Sequence, residues 1–280
     1  MSEYLPPSEA SENPGLPPWR HRVTFARICR SEWIKLFTLS STWWVLVITV
    51  VATVGLGAIA MSSMRMKILD TASGTAYASG AASDLGQILQ LILGVLAVLF
   101  ITNEYSSGQI RSSLTAVPRR WPMLVAKTVV ISIVGFIASF IAYYGAILVG
   151  WLMVRGTALP PGWTLVDDRY TAATAEKIAY MSLSTVFVLI FALAAGALLR
   201  NTAAGISTLV GVLFLLPVLL NVLQWDWVQT ARNYLLSFSQ IGIYATGSPP
   251  LDFVTSLWVT AVWAFAPLVA ALILLQARDA

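Results

Sequence analysis

This 280-residue sequence predicts an all-α, polytopic membrane protein with six transmembrane helices, and three observations carry that expectation. Hydrophobic residues make up 58% of the chain and charged residues only 11%. A water-exposed surface carries about 25%, so the apolar excess faces a second solvent. Six apolar stretches, at 43–63, 86–102, 128–154, 178–199, 205–223 and 253–275, contain no Asp, Glu, Lys, Arg or His. Crossing about 30 Å of hydrocarbon takes roughly 20 apolar residues as a helix, whereas a membrane barrel strand alternates over only about 10. A soluble enzyme, a DNA-binding domain and a disordered chain are excluded as descriptions of the whole.

The elements follow in chain order. Residues 1–19 combine Pro6, Pro7, Pro14, Pro17 and Pro18 with Glu3, Glu9 and Glu12, too little apolar surface to order itself, and are expected to form a disordered cytoplasmic tail. They lack the basic start and short apolar core of a signal peptide, so no cleavage is expected. Residues 20–280 form the transmembrane domain. Over 23–39, Val23, Ala26, Trp33, Ile34 and Phe37 share an apolar stripe ringed by Arg20, Arg27, Arg30 and Lys35. That pattern predicts an amphipathic helix in the membrane interface, either anchoring the first span on anionic lipid or also touching a cytoplasmic partner.

The segment 103–121, NEYSSGQIRSSLTAVPRRW, is expected to be the longest cytoplasmic loop. Gly108 permits a turn, 110–114 suits a short helix, and Pro118 stops it before Arg119 and Arg120. A solvated hairpin is one reading. Glu104, Tyr105, Ile110 and Leu114 are more apolar together than a tether requires, which favours docking against protein. The segment 155–177 is expected to be an ordinary outer loop, whose Asp167–Asp168 pair either binds a cation or makes a solvated turn. Residues 224–252 carry Trp225, Trp227, Tyr234 and Tyr244, which suit the headgroup level. The apolar run 235–243 is too short to cross, so short re-entrant helices are expected before the sixth span. Pro217 and Pro267 should kink the fifth and sixth spans, and Gly55/Gly57, Gly135/Ser139 and Ala192/Gly196 offer small faces for close helix approach.

Charge orients the bundle. With the N-terminus inside, Arg20, Arg22, Arg27, Arg30, Lys35, Arg111, Arg119, Arg120, Lys127, Arg200 and Arg278 fall on one side, and Arg65, Lys67, Arg155, Arg169, Lys177 and Arg232 on the other. The positive-inside rule then places both termini in the cytoplasm, and the net charge of +4 reflects that bias rather than nucleic-acid binding. Cys29 and His21 are each the single residue of their type, so no disulfide within the chain, thiolate metal site or multi-histidine centre is expected.

Two stretches resemble a known family. Ser31-Glu32-Trp33-Ile34-Lys35-Leu36 leads into Ser41-Thr42-Trp43-Trp44, and Glu104-Tyr105-Ser106-Ser107-Gly108-Gln109-Ile110-Arg111 continues through Leu114, Pro118-Arg119-Arg120 and Lys127. Both are similar to permease subunits of type-2 ATP-binding-cassette exporters, especially those of actinobacteria. The resemblance implies a connecting helix carrying Arg27, Arg30, Glu32, Trp33 and Lys35. It also implies a cytoplasmic coupling helix framed by Glu104, Gly108, Arg111, Arg119 and Arg120, and re-entrant helices before the sixth span. It further implies a second permease subunit, identical or not, a separate nucleotide-binding ATPase subunit that holds the ATP and Mg, and a bacterial plasma membrane. The 1–19 tail departs from the shared pattern.

This sequence lacks Gly-x-x-x-x-Gly-Lys-Ser/Thr, so ATP hydrolysis falls to a partner chain, and neither catalytic nor cofactor-binding residues are expected here. Charge-free spans favour a hydrophobic or amphipathic cargo such as a drug, peptide or lipid-like molecule, because an ionised one needs a counter-charge. An ion-coupled carrier is the alternative, though such carriers keep ionisable residues within the membrane. A membrane enzyme lacks the clustered acid and base groups it would need. A non-transporting scaffold or immunity subunit is a further alternative.

Overall fold

Helix α1 (Phe25–Thr38) ends where Leu39 turns extended, and α2 (Ser40–Asp70) begins one residue later. Trp43 Nε1 donates to the Phe37 carbonyl at 3.1 Å, and the two rings lie 5.5 Å apart, which fixes this corner. The computed structural model describes residues 24–70, 74–77, 86–106, 121–155, 163–167, 170–223, 225–244 and 249–277. The 1–19 tail and the 110–114 helix fall outside the described residues.

The chain continues through α3 (Gly86–Ser106), α4 (Trp121–Val154), α5 (Ala172–Leu199), α6 (Thr202–Val222), three short helices α7 (Asp226–Arg232), α8 (Leu236–Ser239) and α9 (Ile241–Tyr244), and α10 (Phe253–Ala277). The chain is all-helical in its bulk, and the described residues include six helices long and apolar enough to cross a membrane: α2, α3, α4, α5, α6 and α10. One small departure is a parallel pair of strands, β1 (Gly74–Tyr77) and β2 (Trp163–Val166), with Gly74 opposite Trp163 and Tyr77 opposite Val166. Each strand follows a long helix running in the same direction, which makes the pair parallel. The expected 155–177 loop is therefore part strand, and its last residues belong to α5.

Several helices outrun the charge-free stretches. Glu104 lies within α3, Lys127 within α4, and Glu176 and Lys177 within α5. The expected loop at 103–121 is correspondingly shorter. Backbone hydrogen bonding propagates a helix past a charged side chain wherever that side chain finds a partner or solvent, so the absence of charge marks the lipid-crossing part rather than the helix.

Helix α5 is the centre of the bundle. About its crossing window, 78% is buried, against 22% for α2, α6 and α10. Ser182, Ser184 and Thr185 are buried there and return their hydroxyl protons to the α5 backbone at Ile178 and Met181, which removes the cost of an unpaired polar group. Small residues set the spacing. A Cβ on Gly196 would lie 2.8 Å from Ile101 Cγ2, and one on Gly205 would lie 2.8 Å from Val98 Cγ1 and 3.3 Å from the Gly196 Cα, so α3, α5 and α6 meet backbone to backbone. Gly55 differs: nothing stands within 4 Å of its Cβ position, so it forms no close packing face within the chain.

Pro217 has no N–H to donate one turn back. The helix answers by widening into a π turn over Gly211–Leu215, with the Leu216 N–H bonded to the Gly211 carbonyl. Helix α10 passes through Pro267 without interruption.

At the end of the bundle remote from α1, α8 and α9 are inserted among the long helices, with Leu236, Ser237, Ser239, Gln240, Gly242 and Ile243 buried. Gln240 and Gln90, each 1% exposed, exchange two amide hydrogen bonds of 2.8 and 3.1 Å. The Ser239 and Thr260 hydroxyls bond at 3.0 Å. A single Gln90→Leu substitution leaves the Gln240 amide without its partner and is expected to cost about 1–2 kcal/mol. Gln90→Leu with Gln240→Leu removes both amides and is expected to recover most of that. Heat-denaturation midpoints in detergent compare the two, and a double variant as unstable as the single one would contradict this account.

Candidate functional site: a buried charge cluster at the α1 end

The face of α1 that packs on the bundle is Ile28, Glu32 and Leu36, spaced i, i+4 and i+8. The apolar stripe expected from the sequence points elsewhere. Trp33 is 40% and Ile34 51% exposed, Ala26 is exposed, and Phe37 is half-buried with its ring 4.8 Å from Trp33. Helix α1 thus has an outward apolar stripe and a separate inward face with a carboxylate at its middle.

That carboxylate is one corner of a four-charge cluster. Glu32 Oε2 accepts from Lys127 Nζ at 2.5 Å and Glu32 Oε1 from Lys35 Nζ at 2.7 Å. Glu104 Oε1 accepts from Lys35 at 2.9 Å and pairs with Lys127 at 2.9 Å. The Lys127 side chain is fully buried, those of Glu32 and Glu104 are 3% and 6% exposed, and Lys35 is the most accessible of the four at 35%. Two carboxylates and two ammonium groups cancel, which is what allows charges to persist in so dry a position. Lys127 Nζ also sits 4.1 Å from the centre of the Phe100 ring, a cation–π contact across α3 and α4. Glu104 Oε2 is buried without a donor.

Burial draws the Lys35 pKa down, but the hydrogen bonds from Lys35 to Glu32 and Glu104, with their charges, outweigh it and the net direction is up. A raised lysine stabilises fully at neutral pH, and its contribution is lost only as pH rises through the alkaline range.

The neighbouring chain turn belongs to the same end. Arg200 closes α5 at φ 50° and ψ 22°, the one non-glycine residue with positive φ among those described. Its guanidinium lies 5.6 Å from the centre of the Tyr105 ring. Asn201 caps α6 by accepting from the Ala204 N–H, and Thr202 bonds Thr102 at 2.8 Å. Two long helices are joined by two residues, and the left-handed turn that this demands costs an arginine on the order of 1 kcal/mol.

Of the residues singled out from the sequence, Glu32, Lys35 and Glu104 come together here. Trp33 lies on the exposed face of α1, as do Arg27 and Arg30. Gly108, Arg111, Arg119 and Arg120 lie outside the described residues. Lys127 and Arg200 are the additions: the sequence counts each as a cytoplasmic basic residue, and Lys127 also as the last residue of the resembling stretch. Among the described residues no group of three or more His, Cys, Asp or Glu stands together to hold a metal; Asp167 is exposed and Asp168 is not described.

No protein-family model and no curated protein matches the chain.

Proposed function

We propose that this chain is the transmembrane permease subunit of an ATP-driven ATP-binding-cassette exporter, working with a second permease subunit and a separate ATPase chain. The observation that carries the proposal is the buried charge cluster. It ties α1 to the end of α3 and the start of α4 through Glu32, Lys35, Glu104 and Lys127. Those two helices bracket residues 107–120, where the resemblance sets the coupling helix. A displacement imposed on that loop would therefore act on two spans and on α1 together. Paired buried charges suit such a transmission element, because their geometry is strongly preferred over partly separated arrangements.

In this scheme nucleotide binding draws two ATPase subunits together, the loops carry the movement inward, and the permease halves exchange inward- and outward-open arrangements. ATP and Mg stay in the ATPase. Both termini face the cytoplasm of a bacterial plasma membrane. The cargo is hydrophobic or amphipathic, which includes multidrug-type substrates. The outward apolar faces of α2, α6 and α10, including Val51, Val218 and Trp258 at 65%, 59% and 68% exposure, leave room for both lipid and a second subunit.

Purification of the tagged chain from its native membranes tests the proposal. A P-loop ATPase chain without spans of its own is expected to copurify, and Arg111→Glu with Arg119→Glu is expected to reduce its recovery and ATP hydrolysis about tenfold. Glu104 is left intact in that variant, because reversing it would disrupt the buried cluster. Absence of any ATPase partner would overturn the proposal.

One observation favours a second reading, the ion-coupled carrier. Glu104 and Lys127 are ionisable groups inside helices long enough to cross a membrane, and both are buried, a placement such carriers use. Cargo movement in vesicles driven by a proton or sodium gradient without ATP would select it.

A further inference from the structure

The end of the bundle opposite the charge cluster holds a cation that the described protein leaves without a counter-charge. Arg232 closes α7, which folds back beneath α6: Gln229 Nε2 donates to the Leu223 carbonyl at 2.7 Å and to the Leu220 carbonyl at 3.3 Å. Arg232 Nη1 donates to Asn221 Oδ1, and the guanidinium carbon lies 4.8 Å from the centre of the Phe238 ring. Its Nε is buried with no acceptor. Arg232 takes no part in the salt bridges that Lys35 and Lys127 make with Glu32 and Glu104. Asp226 is on the same helix, but six residues away, about 9 Å along the axis and on a different face.

The surroundings are those of a membrane surface. Trp225 and Trp227 are 59% and 68% exposed with rings 5.9 Å apart, and Tyr234 is 46% exposed. Leu219 and Val222 on the adjoining turn of α6 are 53% and 76% exposed. A guanidinium has five donors in a planar fork that matches phosphate oxygens, and one amide oxygen satisfies only one of them. Near lipid an unpaired cation calls for an anion, and the aromatic and aliphatic surface beside it calls for an acyl chain.

We propose that Arg232, held by Asn221 and Phe238, binds the phosphate of an anionic phospholipid headgroup, with the acyl chain lying along the end of α6 where Leu219 and Val222 are exposed. The site is independent of the exporter reading, since any six-span chain with this geometry would present it. A lipid rather than a soluble phosphate is the ligand, because the exposed tryptophans and α6 side chains have no role in binding a free anion.

Native mass spectrometry of the full chain in detergent tests this with phosphatidylglycerol, phosphatidylcholine and inorganic phosphate as probes. The wild type is expected to retain one more phosphatidylglycerol than Arg232→Gln, with at least a tenfold difference in the concentration needed. Arg155→Gln, which removes an exposed basic group elsewhere on the chain, is expected to keep that lipid. Phosphatidylcholine should be held more weakly, and inorganic phosphate should not be retained. Asn221→Ala keeps the charge and is expected to weaken retention several-fold, which supplies the test if Arg232→Gln does not fold. Equal phosphatidylglycerol retention by the wild type and both Arg232→Gln and Asn221→Ala would overturn the proposal, as would inorganic phosphate binding as well as the lipid.

Discussion

Lys127→Met is expected to lower the stability of the chain by about 3–5 kcal/mol, the range found when one member of a buried ion pair is removed. Lys127 is fully buried and contacts both carboxylates of the cluster, at 2.5 Å to Glu32 and 2.9 Å to Glu104. Its loss leaves Glu32 Oε2 without a donor and gives the cluster a net negative charge in a dry site. Solvent cannot screen that charge, so the usual discount for a surface pair does not apply. Lys127→Met combined with Glu32→Gln removes one charge of each sign and leaves the Lys35–Glu104 pair in place. The double variant is therefore expected to regain much of the loss. Heat denaturation of the purified protein in detergent, followed by tryptophan fluorescence, ranks the three proteins. A single variant no less stable than the double one would mean that these charges are not coupled.

Gly242→Ala is expected to be the next most damaging change, at about 1–3 kcal/mol and upward. A Cβ at residue 242 would overlap the Ser256 hydroxyl and the Leu251 carbonyl oxygen, with Ser256 Cβ only 3.0 Å away. Side-chain rotation can relieve the first contact but not the second, because a backbone oxygen moves only with its chain. Helix α9 would have to leave α10, straining the neighbouring Gln90–Gln240 and Ser239–Thr260 bonds. Gly55→Ala is the matched control. With nothing within 4 Å of its Cβ position, it is expected to be neutral or to stabilise by about 0.5–1 kcal/mol. The same denaturation assay applies, with accessibility of a cysteine placed at Ser237 to a water-soluble maleimide, in a Cys29→Ser background, as a second readout. Faster labelling in Gly242→Ala would report α8 and α9 leaving their seat among the long helices; unchanged labelling and stability would show that the close packing is not required.

The six long helices were legible in the chain because a bilayer imposes a length and an apolar composition that a one-dimensional pattern records directly. The helix before the first span and the short helices before the sixth were legible for a related reason: each has apolar content in a run too short or too basic to cross. Charge showed the limits of that kind of pattern. Glu104 reads as part of a loop docked on protein and Lys127 as a cytoplasmic basic residue at the end of the resembling stretch, whereas both lie inside the long helices α3 and α4 and pair with each other. Their partner Glu32 is separated from Lys127 by 95 positions, and Gln90 from Gln240 by 150. No local period announces such pairs.

The face of α1 makes the same point from the other direction. Its apolar stripe was visible from spacing, but the stripe points outward, and the packed face carries Ile28, Glu32 and Leu36. Hydrophobicity marks a surface as excluded from water; it does not say whether lipid or protein covers it. In a membrane that distinction is lost to composition, because lipid tails are as apolar as leucine. Which helices cross, and roughly where, followed from the amino acids and the thickness of the bilayer. Which faces meet, which charges cancel and which cation is left over depend on polar groups brought together from distant parts of the chain, and those pairings exist only once the helices have packed.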